Sequence, residues 1–241
     1  MPSFVENELS MYYEVLGSAE GVPLLLLHDD TSSSAVFSAL APDLSKRRRI
    51  VLADLFNHGR SSRYSELPRH PWEFNALALA RLLQSEGMTK VDILGTGAGA
   101  IVALNLALVE PTLPRRLIAD SFFGCSVEPR EAASLAAGRE RAMSEPEIAE
   151  LWHSFHGDDW EGVVTDETIF LTKAARTSMP LYVDDPARIH IPVLVTGSKE
   201  DELIPRLQER LEFFASRLPK GQSLIFDSGG HPAMFSNAGA F

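Results

Sequence analysis

Four short segments of this chain carry the residues that could do chemistry, and each stands at the end of an apolar run. Leu27-His28-Asp29-Asp30 closes PLLLL, Gly95-Thr96-Gly97-Ala98-Gly99 closes VDIL, and Gly229-Gly230-His231-Pro232 comes just after SLIFD. An acidic turn from Gly197 through Glu200, Asp201 and Glu202 to Pro205 ends IPVLVTG. Turns at the carboxyl ends of strands are where open α/β sheets place their sites. A histidine oriented by a carboxylate is a general base that needs no hydroxyl partner, and His231 is placed for that role. Asp201, Asp120 at the end of RRLIAD, and Glu200 could each supply the carboxylate. His153, His156, Asp158 and Asp159 also cluster, but their spacing matches no standard ligand set, so no metal is expected.

The elements that must position these turns read as alternating strands and helices. PLLLL (23–27), RIVLAD (49–54), VDILG (91–95), RRLIAD (115–120), IPVLVTG (191–197) and SLIFD (223–227) are apolar without alternation, as suits strands buried on both faces of a parallel sheet. Helical stretches are expected over 71–87, 97–110 and 202–218. The middle one is apolar all round, which places it centrally. The alternation predicts a doubly wound α/β fold with helices on both faces of a mostly parallel sheet. Between residues 126 and 189 no buried-strand run appears. Ser144 with Glu147 reads as a capping box ahead of Ile148, Leu151, Trp152 and Phe155 at helical spacing. Residues 126–189 are therefore expected to be a helical cap inserted into a core made of residues 1–125 and 190–241.

Composition narrows the partners. With 241 residues, 45% of them hydrophobic, the chain has room for one large α/β domain with an insertion. Lys+Arg 22 against Asp+Glu 33 gives a net charge of −11, which argues against a nucleic-acid partner. The first ten residues have no basic region followed by an apolar one, so no secretory leader is expected. The longest apolar stretch, 101–109, is interrupted by Asn105 and too short for a bilayer, so no membrane partner is expected. The single Cys125 excludes an internal disulfide, fits a reducing cytoplasm and reads as buried filler. The run Lys46-Arg47-Arg48-Arg49 reads as a solvated helix end. A small molecule is the expected partner, no cofactor is implied, and a homodimer is left open.

In register along nearly its whole length, the chain resembles the α/β-hydrolase superfamily, of the capped, esterase- or lactonase-like kind. LLLLHDD stands where that superfamily has its His-Gly oxyanion turn. ADLFNHGRSS resembles its Asp-x-x-Gly-His-Gly-x-Ser segment, with Asn57 in place of the first Gly. GTGAG stands at the nucleophile elbow, GSKEDELIP at the acid turn and GGHP at the catalytic histidine. The resemblance implies His231 as base, with Asp201 preferred over Asp120 and Glu200 as its orienting acid. It implies oxyanion donors at the backbone N–H groups of Asp30 and Ala98. His28, Asp29, Trp152 and Phe155 are the expected substrate-binding residues.

The elbow departs from that pattern at its centre: Gly97 stands where the nucleophilic Ser should be, as in the locally similar elbow of the NDRG family. Loss of a serine nucleophile costs about six orders of magnitude in kcat, so an ordinary acyl-serine cycle is closed to this chain. A carboxylate at Asp30 roughly 6 Å from a developing oxyanion would oppose it by about 3 kcal/mol. Hydrolase-like chemistry on a small ester or lactone, driven by a His231–acid dyad, is the leading expectation. An inert binding protein on the same fold is the alternative. A dinucleotide-binding oxidoreductase is the third reading, because GTGAGA satisfies G-x-G-x-x-A and Asp120 ends the following strand.

Overall fold

The computed structural model describes residues 3–6, 8–18 and 20–241. It opens with β1 (Ser3–Glu6) and β2 (Leu9–Leu16), followed by β3 (Leu24–Leu27), α1 (Ala41–Ser45), β4 (Ile50–Ala53), α2 (Pro71–Ser85), β5 (Val91–Thr96), α3 (Ala98–Val109) and β6 (Pro114–Asp120). Three helices come next, α4 (Pro129–Ala142), α5 (Pro146–His156) and α6 (Trp160–Arg176). The chain then returns through β7 (Val193–Ser198), α7 (Leu207–Arg217), β8 (Gly221–Phe226) and α8 (Ala233–Ser236). One eight-stranded sheet runs in the order β1-β2-β4-β3-β5-β6-β7-β8, parallel from β4 to β8 and antiparallel at β1 and β2.

Side-chain alternation along the strands explains why helices cover both faces. Leu25, Leu27, Val51, Ala53, Val91 and Ile93 join one core with the apolar sides of α2, α3 and α7. Leu26, Ile50, Leu52 and Leu94 join a second core on the other face with Phe37, Ala41 and Met234. The central helix α3 packs on β3, β5, β6 and α2, and nearly all its side chains are buried. Its one polar interior residue, Asn105, is fully satisfied. Nδ2 donates to the carbonyls of Ile101 and Leu181, and Oδ1 accepts from the Val183 N–H. Among the described residues no helix is long and apolar enough to cross a membrane.

Several boundaries differ from the sequence-based expectation for local reasons. The β1–β2 hairpin was not expected, because its residues alternate too weakly between core and solvent to stand out. The helix expected from residue 202 begins at Leu207, since Asp201 caps a turn through the N–H groups of Leu203 and Ile204 and Arg206 is left-handed at φ +54°. The capping box is not at Ser144. Pro146 takes the first position of α5, so Glu145 precedes the helix and makes no side-chain cap, while Glu128 and Glu131 form the reciprocal box on α4. Asn57 lies at φ +74°, where glycine is the usual choice and asparagine the best tolerated side chain. Cys125 is exposed rather than buried.

Arg48 also departs from expectation. It leaves the surface run to join Arg115 and Arg116 around Asp92, at 2.8, 2.7 and 3.1 Å. Burial works against the Asp92 charge, but the three guanidinium groups outweigh it and hold the carboxyl at about 2, below its ordinary 3.8. A depressed folded-state value stabilises the fold above pH 3.8 and loses that contribution as pH falls toward 2. The urea midpoint of the native chain should therefore drop across this acid window more steeply than that of Asp92→Asn. Parallel slopes for the two proteins would contradict the ion cluster.

Candidate active site

The turn from β5 into α3 brings Gly97 to φ +52° and ψ −119°, a conformation that side chains other than glycine's rarely adopt. Its N–H donates to the Asp120 carbonyl at 2.9 Å. Gly99 lies so close to the neighbouring turn that a Cβ there would come within 2.4 Å of the His28 carbonyl oxygen. The β3 and β5 turns are thus pressed together, and this contact delivers Asp29 to the elbow. A Cβ on Gly97 would fall 1.7 Å from Asp29 Oδ1. The space of the absent side chain is filled by a carboxylate from another strand end.

That carboxylate is tightly held. Asp29 Oδ1 accepts from the N–H groups of Ala98 and Asp30, both at 2.7 Å. These are the two donors expected to face a substrate oxygen. Asp29 Oδ2 lies 2.9 Å from His231 Nε2, and His231 Nδ1 lies 2.8 Å from Asp201 Oδ2. Asp201 is fixed by its turn, and Glu202 accepts the His231 backbone N–H at 3.1 Å. Charged partners on both ring nitrogens make this Asp29–His231–Asp201 row a chain of charge-assisted bonds.

The electrostatics follow from burial and neighbours. Burial lowers the His231 value, but the bonds to Asp201 and Asp29 outweigh it and hold the imidazole well above its ordinary 6.5. Burial and the neighbouring Asp30 in turn push the Asp29 carboxyl above its ordinary 3.8, against the pull of its bond to His231. Burial likewise opposes the Asp30 charge, but Arg139 on α4 pairs with it and holds it below the usual carboxylate range. Burial, reinforced by Asp30, pushes Glu167 on α6 up to about 8, so that carboxyl is protonated near neutrality. His28 and His156 are both driven down to about 4 by burial and stay neutral.

A cavity of about 40 Å³ adjoins these groups, room for a few waters or a very small ligand. Asp29, His231, Arg139 and Glu167 supply its polar edge, and Trp72, Ile101, Phe123, Leu135, Phe170 and Leu171 its apolar walls. Arg139 and Glu167 were not singled out from the sequence. Each is a charged residue on an otherwise ordinary amphipathic helix, and only the packing of α4 and α6 over the sheet turns them inward.

Other expected site residues lie elsewhere. Asp29, expected to touch substrate, does line the cavity, with Oδ1 held by the N–H groups of Ala98 and Asp30. His28 is fully buried beneath the site, its Nε2 accepting from the Leu55 N–H at 3.0 Å and its Nδ1 2.7 Å from the Asp29 carbonyl. Phe155 packs against His156, outside the cavity. Trp152 stacks on Trp160 and borders an outer crevice shared with Asp29 and Asp30. Asp120 makes no bond to His231. It accepts from Thr196 Oγ1 at 2.6 Å and the Met234 N–H at 3.1 Å, tying down the segment that follows the histidine. Glu200 is exposed. The acidic residues near His153 and His156 disperse to separate partners, His153 with Asp158 and Asp159 with Arg63.

A family profile described as "Alpha/beta hydrolase family" matches residues 24–241, the whole span from β3 onward. The chain belongs to the alpha/beta hydrolase family. It is 25% identical over 250 residues to 2-hydroxymuconate semialdehyde hydrolase of Pseudomonas sp. (strain CF600), covering 93% of this chain and 85% of that protein. It is 37% identical over 127 residues to the magnesium-chelatase 30 kDa subunit of Rhodobacter capsulatus, over 50% of this chain and 44% of that one. Among solved structures, 2-hydroxy-6-oxo-6-phenylhexa-2,4-dienoate hydrolase from Rhodococcus sp. strain RHA1 superposes with a TM-score of 0.77 at 20% identity, covering 99% of this chain and 94% of that one. That likeness establishes the α/β-hydrolase fold.

The clash between a residue-97 side chain and Asp29 makes the two positions interdependent. Gly97→Ser alone should destabilise the chain by about 1–3 kcal/mol, through left-handed strain and overpacking against the carboxylate. Adding Asp29→Gly should recover much of that loss in a denaturant melt. Simple additivity of the two changes would refute the coupling.

Proposed function

We propose that this chain performs hydrolase-like chemistry on a small, mostly apolar ester or lactone, with His231 and Asp201 moving protons and Gly97 contributing no nucleophile. The observation that carries this reading is the 2.8 Å bond between His231 Nδ1 and Asp201, with Nε2 turned to the Asp29 carboxylate beside the Gly97 bend at the edge of a largely apolar cavity. Catalysis requires Asp29 Oδ1 to release the N–H groups of Ala98 and Asp30, so that the substrate oxygen takes its place. Departure of that carboxylate also removes one of the two charges that keep His231 protonated, which returns the imidazole toward a working base. Water beside Nε2 then attacks the carbonyl, and the developing oxyanion is received by the two freed donors. Residues 126–189 act as a cap, with Arg139 and Glu167 closing the cavity over the substrate.

A second reading, a ligand-binding member without turnover, is favoured by one specific observation: the donors that would stabilise an oxyanion are already filled by Asp29. The dinucleotide reading gains nothing from the geometry. Asp29 holds the Ala98 N–H that a pyrophosphate would need and presents a negative charge to it.

The two surviving readings separate on p-nitrophenyl acetate. Asp29→Ala should raise kcat/KM at least about tenfold by opening the oxyanion donors, and His231→Ala in that background should remove the gain. No turnover in the native chain or in Asp29→Ala would leave the binding reading standing.

A further inference from the structure

Asp29 has one acceptor position left to offer. A carboxylate carries two on each oxygen. Oδ1 spends both on the N–H groups of Ala98 and Asp30, and Oδ2 spends one on His231 Nε2. One position on Oδ2 is therefore without a partner among the described residues, on a side chain that lines the cavity. The three bonds weaken this carboxylate as a base. Burial and the adjacent Asp30 act the other way and prevail, leaving it a stronger base than an exposed aspartate. The inserted helices bring the complement. Glu167 on α6 and Arg139 on α4 line the same cavity, and Glu167 keeps its proton near neutrality. Asp30, Asp166, Arg139 and Asn57 surround the Glu167 carboxyl, and the buried His58 presents Nε2 at 3.6 Å. The strand ends thus supply a fixed proton acceptor, and the helices supply a proton donor and a cation. Trp72, Ile101, Phe170 and Leu171 wall the space between with apolar surface. Two carboxyl groups held in opposite protonation states by their surroundings can move a proton off a carbon beside a carbonyl.

We propose that the cavity interconverts the keto and enol forms of small neutral ketones, with Asp29 taking the proton from the carbon beside the carbonyl and Glu167 giving one to the carbonyl oxygen. This goes beyond the ester reading: the cavity is the same, but a C–H bond breaks, no nucleophile is needed and no water is consumed. The backbone donors filled by Asp29 are no obstacle, since the carbonyl oxygen is received by Glu167 and Arg139 instead. In the forward step the C–H bond breaks and its proton bonds to Asp29 Oδ2. The electron pair of that bond becomes the new C=C bond, the carbonyl π pair moves onto oxygen, and the oxygen takes the Glu167 proton. Neutral Asp29, an enol and a Glu167 carboxylate result, and Arg139 steadies the charge left on Glu167. Return of a proton to the same carbon restores all three groups and exchanges the hydrogen. Where the neighbouring carbon bears a hydroxyl, the enediol takes the proton at the old carbonyl carbon and the carbonyl moves one carbon along. The small cavity, about 40 Å³, and its apolar walls favour a substrate of a few heavy atoms without charge.

The test follows loss of deuterium by NMR from 2-butanone carrying two deuterium atoms at C3, in ordinary water. The native chain should speed this loss at least about a hundredfold over buffer. One deuterium should leave well ahead of the other, because the base stands on one side of the cavity. Asp29→Asn should return the loss to the buffer rate. After subtraction of the buffer rate, the native rate should fall as pH rises through about 8, where Glu167 gives up its proton. That alkaline limb should vanish in Glu167→Gln, which cannot titrate. Loss no faster than in buffer, equal loss of both deuterium atoms, full activity in Asp29→Asn, or the same limb in Glu167→Gln would each overturn the proposal. The one-sided loss needs no variant, so a folding defect in either substitution leaves the test intact. The ester reading is scored separately on p-nitrophenyl acetate, where removal of the Asp29 carboxylate is expected to raise the rate rather than abolish it.

Discussion

The site depends on one carboxylate in a place where the fold ordinarily holds a side chain from the elbow. Asp29 crosses from the β3 turn to the β5 turn, lies within 1.7 Å of where a Cβ on Gly97 would be, and joins the donors of two backbone segments to His231. Everything around it is consistent with that placement. The elbow tolerates its backbone angles because residue 97 is glycine, the β3 and β5 turns approach closely because Gly99 lacks a side chain, and the His231 imidazole is held above its ordinary value because Asp29 and Asp201 bracket it. Removing any one of these features leaves another unsupported.

The fold was legible because it rests on local patterns. Six apolar runs without alternation sit at the six parallel strand positions, and an all-apolar stretch over 97–110 becomes the central α3. The segment before β7 was legible as helical for the complementary reason, that it offers no buried-strand run. The antiparallel hairpin at the start escaped notice because β1 is only four residues long with none of them buried, and β2 does not alternate cleanly. The α5 start was misplaced by one residue because a fixed proline φ outranks a serine's preference for capping.

The site was only half legible. Turn chemistry after strands identified Gly97, His231, Asp201, Asp29 and Asp30 as neighbours, since strand ends of one sheet share an edge. Which atoms would meet was beyond reach, because Asp29 and Asp30 are adjacent in sequence and point to opposite partners. One accepts from the N–H groups of Ala98 and Asp30, and the other pairs with Arg139. The Asp30 carboxylate faces a guanidinium, whereas that of Asp29 faces the elbow. Arg139 and Glu167 were invisible for a related reason: the inward face of a helix packed over a polar site carries charge, which inverts the usual amphipathic signal.

The Arg139–Asp30 pair has a consequence for how firmly α4 is held. Arg139 belongs to α4 and Asp30 to the turn after β3, and both line the cavity, so their contact fastens the helix to the sheet edge. Both partners are largely withdrawn from solvent, and mobile ions screen such a contact far less than a surface pair. Swinging α4 aside means rehydrating a cation and an anion together, a heavier toll than the ~0–1 kcal/mol typical of exposed pairs. The tie between α4 and the β3 turn is therefore one that salt scarcely loosens.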